Sequence, residues 1–180
     1  MNALNSCEIE FVHMLHDALQ CGFMDFIMPL ITYFSNGGIL WILLALIFLL
    51  RKDTRRMGLT MGIALILGLL AGNFLLKPLT ARIRPYDFDP SISLIIPPEL
   101  EYSFPSGHSL AAFEGAFSIF LCRKKWGIPA LIFAVLTAFS RVYLQVHYPT
   151  DVICGSLLGI VFSLIAFWIV EKCVKSKQPI

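Results

Sequence analysis

Three short blocks of this sequence hold residue types suited to phosphate chemistry. The first is Lys77-Pro-Leu-Thr-Ala-Arg82-Ile-Arg84-Pro85. The second is Pro105-Ser106-Gly107-His108, and the third is Ser140-Arg141, followed after five residues by His147 and after three more by Asp151. Lys77, Arg84 and Arg141 supply three cations, and a planar guanidinium can meet two phosphate oxygens at once. A tetrahedral dianion is the natural guest of such a set. Pro105 suits the first turn of a helix, which would leave the N–H groups of Ser106, Gly107 and His108 at its positive end, and Gly107 allows close main-chain approach. His147 and His108 offer a nucleophile and a proton donor. Asp151 is expected in the first turn of the next helix, begun by Pro149 and Thr150, where it accepts a bond from the His147 ring and turns the other ring nitrogen to phosphorus. His147 would then attack in line, the cations and backbone donors would stabilise the equatorial charge, and His108 would protonate the leaving oxygen before water hydrolyses the phosphohistidine.

Taken one at a time these residues have plainer readings. Pro-Ser-Gly is common in turns, and a lone histidine is more often packed than catalytic, the reading given to His13 and His16. Arg82 reads as a solvated or snorkelling loop charge. Arg141 lies within the apolar segment 130–146, where a cation is expensive unless it faces a partner or a polar cavity.

The elements that must position these blocks are membrane helices. Of 180 residues, 57% are hydrophobic and only 14% charged, outside the usual balance of soluble proteins. Segments 58–76, 105–122, 127–146 and 150–170 approach the length of a bilayer span, and 36–50 reaches it if Arg51 and Lys52 snorkel. Segment 7–34 is less apolar and carries His13, His16, Asp17, Asp25 and Pro29, so it reads as an interfacial helix or a sixth, broken span. The expected fold is a single all-α, polytopic membrane helical bundle of five spans plus that N-terminal helix. No cleavable signal peptide is expected, since the first thirty residues lack Lys and Arg and include Glu8, Glu10 and Asp17. Cys7, Cys21, Cys122, Cys154 and Cys173 have no paired spacing, which argues against a disulfide framework or zinc site and leaves them as packing residues.

Ten of the fourteen basic residues fall into three clusters on one side of such a bundle: Arg51, Lys52, Arg55 and Arg56; Arg123 to Lys125; and Lys172, Lys175 and Lys177. The positive-inside rule makes that side cytoplasmic and turns the three blocks to the other face. The loop between the first two blocks is otherwise acidic, with Asp87, Asp89, Glu99 and Glu101. A net charge of +2 gives no reason to expect nucleic acid.

Together the blocks resemble the signature of the type 2 phosphatidic acid phosphatase superfamily: Lys-x6-Arg-Pro, Pro-Ser-Gly-His and Ser-Arg-x5-His-x3-Asp, matched at all eleven fixed positions. The resemblance covers residues 77–151. It implies that Lys77, Arg84, Ser106, Gly107 and Arg141 bind phosphate, with His147 as nucleophile, Asp151 orienting it and His108 as general acid. It also implies chemistry without a metal or other cofactor, since the apolar spans resemble the membrane lipid phosphatases of the superfamily rather than its vanadium-dependent haloperoxidases. The short chain and external site are similar to bacterial undecaprenyl-diphosphate phosphatases, which makes undecaprenyl diphosphate the expected substrate, with phosphatidylglycerol phosphate or phosphatidate as the alternative. The implied partners are a lipid phosphate and the bilayer; the sequence carries no signal of oligomeric state.

Outside the signature, Glu114 reads either as a group tuning the site or as a protonated carboxyl bonded to a neighbouring helix. The apolar loop 91–98 flanks lipid entry or packs on the helices. A small lipid or anion transporter is the rival from another class, because Arg141 and Glu114 are intramembrane charges; it would need polar groups along both halves of its spans, and often internal repeats.

Overall fold

In hydrocarbon each backbone N–H and C=O must be satisfied within its own segment, so the apolar runs become helices. The computed structural model describes residues 2–175, and every regular element among them is helical; Lys177, counted above in the last basic cluster, lies outside them. The helices are α1 (Asn2–Leu19), α2 (Gly22–Phe34), α3 (Ile39–Leu50), α4 (Arg55–Gly68), α5 (Lys77–Thr80), α6 (Pro85–Phe88), α7 (Gly107–Cys122), α8 (Lys124–Tyr143) and α9 (Pro149–Lys175). Four continuous segments are long and apolar enough to cross a membrane: Gly22–Leu50, Arg55–Phe88, Lys124–Tyr143 and Pro149–Val174. The fifth expected span, α7, has 16 residues and is the shortest of the five.

The N-terminal stretch divides in two. α2 runs through a 3-10 turn at Asn36–Gly38 into α3, so the first span starts at Gly22 rather than at residue 36. Gly37 and Gly38 make that joint at φ of 58° and 69°, a region open to glycine without steric cost. α1 is a separate helix. Its buried face, Asn5, Glu8, Ile9, Val12 and His16, follows helical periodicity and docks on α8 and α6, while Leu4, Phe11 and Met14 remain exposed.

α7 packs against α3, α4, α8 and α9 and forms the axis of the bundle. Its Ala112 and Ala116 are wholly buried with Trp41, Met57, Met61 and Ala134. Polar pairs join helices inside, Ser118 with Ser163 at 3.3 Å and Ser35 with Thr137 at 2.9 Å, whereas Leu43, Phe74, Ile132, Leu157 and Trp168 point outward. Small and hydroxyl residues inside with large apolar ones outside is the pattern that lipid selects. Glu114 is buried on α7 against Gly68, where a side chain would collide with its carboxylate. Cys7, Cys21 and Cys173 face outward instead of packing inside, and all five cysteines are unpaired.

Two ion-pair contacts gather the basic clusters at one end. Arg123 reaches Asp53 after α3, its Nη2 3.5 Å from the carboxylate Oδ2, and Arg56 pairs with Glu171 near the end of α9. The three blocks lie at the opposite end.

Candidate active site

The start of α9 meets the start of α7. Tyr148 N–H donates to Asp151 Oδ2 at 3.0 Å, and the Asp151 carbonyl accepts from Ser106 N–H at 3.1 Å. Gly155, one turn on, permits this approach: a Cβ there would stand 2.7 Å from the Ser106 carbonyl oxygen. Ser106 is extended and caps α7, its Oγ accepting from Ser109 N–H at 3.4 Å and from the Ser109 hydroxyl at 3.0 Å. The helix therefore begins at Gly107 rather than at Pro105. Gly107 and His108 supply the first-turn N–H groups that lack an intrahelical acceptor, while Ser106 N–H is spent on Asp151.

The turn between α8 and α9 delivers His147. α8 stops at Tyr143, Gln145 takes a positive φ of 57°, and the N–H groups of Val146 and His147 return to the Arg141 carbonyl at 3.2 and 3.3 Å. The expected span to residue 146 is thus shorter, because the chain must reverse to enter α9. The buried His147 ring has Nδ1 3.3 Å from Ser103 Oγ and 3.5 Å from Asp151 Oδ2, and Nε2 3.3 Å from Arg84 Nη1. Ser103 donates to Asp151 Oδ2 at 2.5 Å. With Nδ1–H directed at Ser103 and Asp151, the lone pair lies on Nε2, on the Arg84 side. Burial, and then the charges of Arg84 and Arg141, hold the His147 pKa well below its ordinary value, so the ring is neutral.

Lys77, Arg84 and Arg141 are all buried, and carboxylates hold them. Arg84 donates from Nε to the Glu101 carbonyl at 2.7 Å and from Nη1 to the Val146 carbonyl at 2.9 Å, and its Nη2 stands 2.6 Å from Glu99 Oε2. Arg141 donates to Thr32 Oγ1 at 2.5 Å and pairs with Glu99; its Nε has no hydrogen-bond partner among the described residues. Lys77 pairs with Glu101. Glu99 Oε1 also stands 3.9 Å from His108 Nδ1. Burial alone would raise the Glu99 pKa, but Arg141 and Arg84 pull it down to about 2, so it is ionised beside them.

Four residues here escaped the reading of the sequence. Arg82, taken as a solvated charge, is buried: it meets Asp151 Oδ1 at 2.6 Å, Glu8 at 2.5 Å, Thr150 at 2.7 Å and Asn5 at 3.0 Å, and stacks on Tyr148. Its partners lie up to 77 positions away, and nothing local announces them. Ser103 precedes its motif by two residues, and Glu99 and Glu101 looked like ordinary loop acids. α1 fastens this end, with Glu8 also accepting from Thr150 N–H at 2.8 Å. His13 and His16 bond Asp89 and the Tyr143 carbonyl, both at 2.9 Å.

A cavity of about 700 Å³ opens beside the site between α3, α4 and α7. Lys77, Glu99, Glu101 and His108 line its upper part. Ile42, Leu46, Leu65 and Leu69 line it lower down, with Glu114 between α4 and α7.

The sequence model of the PAP2 superfamily matches residues 53–175. The chain is 38% identical over 154 residues to an undecaprenyl-diphosphatase of Sulfolobus acidocaldarius, covering 84% of this chain and 72% of that protein. It is 33% identical over 170 residues to phosphatidylglycerophosphatase B of Bacillus subtilis, covering 87% and 74%. Among solved structures, Aquifex aeolicus LpxE superposes with a TM-score of 0.72 at 25% identity, covering 89% of this chain and 94% of that one.

Proposed function

The chain belongs to the PAP2 superfamily and is a membrane lipid phosphatase, and we propose that within this class it converts undecaprenyl diphosphate to undecaprenyl phosphate and inorganic phosphate through a phosphohistidine on His147. The observation that carries the mechanism is the buried His147 ring, with Nδ1 turned to Ser103 and Asp151 and Nε2 3.3 Å from Arg84. Nε2 attacks the terminal phosphorus, an N–P bond forms, and the bond to the bridging oxygen breaks. That oxygen leaves with the electron pair and takes a proton from His108. Water then attacks the phosphohistidine, returning a proton to His108 as the N–P bond breaks. Lys77, Arg84 and Arg141, with the Gly107 and His108 N–H groups, bind the equatorial oxygens; Ser106 acts by capping α7 and offers its remaining hydroxyl capacity. Asp151 stabilises the imidazolium that forms.

The preference for a diphosphate carrier rests on the undecaprenyl-diphosphatase relative and on the apolar cavity, which leads from Lys77 and His108 into the bundle and suits a long hydrocarbon chain. The second reading, phosphatidylglycerol phosphate, rests on the B. subtilis relative. The site faces the non-cytoplasmic side, supported by the basic clusters at the far end. A transporter finds little support, since the charged groups inside the bundle gather at one end, Glu114 excepted.

Phosphate release by detergent-purified protein with EDTA present, from undecaprenyl diphosphate, phosphatidylglycerol phosphate and phosphatidate in parallel, tests the assignment. A strong preference for undecaprenyl diphosphate, lost in His147→Asn, supports it; a preference for either other lipid overturns the substrate, and full activity in the variant overturns the mechanism.

A further inference from the structure

Two acids of one loop occupy the cations that the reaction needs for phosphate. Glu99 sets one carboxylate oxygen 2.6 Å from Arg84 Nη2 and pairs the other with Arg141, and Glu101 pairs with Lys77. The Glu99 main chain is pinned at both polar groups to the Tyr86 hydroxyl, which donates to its carbonyl at 2.9 Å and accepts from its N–H at 3.1 Å. Leu100, between the two acids, is fully exposed. To admit a phosphate the Glu99 side chain must swing away while its backbone stays in place.

We infer that Glu99 is a specificity-determining residue, a built-in competitor for Arg84 and Arg141 that sets the charge an incoming headgroup must carry. This rests on the assignment of Arg84, Arg141 and Lys77 to the substrate phosphate. A phosphomonoester or terminal phosphate brings close to two negative charges and three acceptor oxygens. It outcompetes a carboxylate with one charge and two oxygens. A phosphodiester, the headgroup linkage of bulk membrane phospholipids, offers one charge and two free oxygens, no more than Glu99 already gives. Glu99 is moreover tethered at the site, with the high effective concentration of an intramolecular ligand. Every ligand binds more weakly by the same factor, the fraction of time that Glu99 is away, so a weakly held diester drops out of reach while a strongly held dianion still binds.

Steady-state kinetics of the full chain and of Glu99→Gln, with inorganic phosphate and dimethyl phosphate as inhibitors, tests the inference. In Glu99→Gln the Ki for phosphate and the KM should both fall by about tenfold or more, as expected if Glu99 is docked about 90% of the time, without a rise in kcat. The dimethyl phosphate Ki should fall by the same factor, so that it inhibits the variant at concentrations that leave the parent untouched. Glu99→Asp, which keeps the charge on a side chain too short to span both arginines, should move the phosphate Ki in the same direction and serves if the glutamine variant does not fold. Unchanged Ki values, or a fall in kcat alone, would overturn the inference. If phosphate fails to inhibit the parent, and Arg141→Ala leaves KM unchanged, the phosphate site itself is wrong and the competitor falls with it.

Discussion

Ser103 donates its hydroxyl to Asp151 Oδ2 at 2.5 Å and stands 3.3 Å from His147 Nδ1, nearer to the ring than the carboxylate at 3.5 Å. Asp151 thus acts on His147 partly through Ser103, and its other oxygen is taken by Arg82. The Asp151 carboxylate is held from two sides.

Removing that bridge should slow chemistry without weakening binding. Ser103→Ala loses a hydrogen bond to a charged group, about 1.5–3 kcal/mol, or roughly ten- to a hundredfold in kcat. KM should stay within about twofold by the same reasoning. Steady-state kinetics decides; a KM effect with normal kcat would move Ser103 to substrate binding.

Arg82 should matter for stability as much as for activity. Arg82→Ala leaves Asp151 and Glu8 buried without their partner, a loss of about 3–5 kcal/mol. Arg51→Ala, at an exposed pair with Asp53, should change stability by less than about 1 kcal/mol. Thermal unfolding in detergent compares them, and equal effects would contradict the buried network.

The difference between these two arginines shows where the sequence is legible. The three blocks could be read because fixed spacing and helix periodicity put Lys77, Arg84, His108, Arg141 and His147 at one end of a bundle. Arg82 could not, since its partners Glu8 and Asp151 lie on α1 and α9 and only the fold joins them. Glu99 and Glu101 read only as two acids of an acidic loop, because loop composition does not reveal which cation a carboxylate meets. The sequence predicts a first span that is too short because hydropathy falls at Asn36–Gly38, where the helix bends and then continues. The sequence predicts a start for α7 two residues early because Pro105 suits a helix start, while Ser106 supplies the cap.

Acid should destabilise the fold through His147. Its pKa lies below the unfolded value of 6.5, so at lower pH the unfolded chain binds the extra proton. Stability from this group is fully present above 6.5 and declines as pH falls from there towards the folded pKa. Glu99, held at about 2, contributes no loss until pH drops below its usual 4.5. Melting temperature should therefore fall between pH 7.5 and pH 5, and by less in His147→Asn; equal slopes would show that the ring protonates freely in the fold.

Orientation can be read from intact cells. In a background with the five cysteines replaced, Leu100→Cys should react with a membrane-impermeant maleimide, and Lys52→Cys, at the basic end, only after permeabilisation. The reverse pattern would place the site on the cytoplasmic side.

The most direct test of the mechanism is rapid-quench trapping with undecaprenyl diphosphate carrying a radiolabelled terminal phosphate. A phosphohistidine pathway predicts label on the protein within one turnover, stable to alkali and lost in acid as a phosphoramidate is, mapping to His147 and absent from His147→Asn. Phosphate release at the normal rate without labelled protein, or label persisting in that variant, would contradict it.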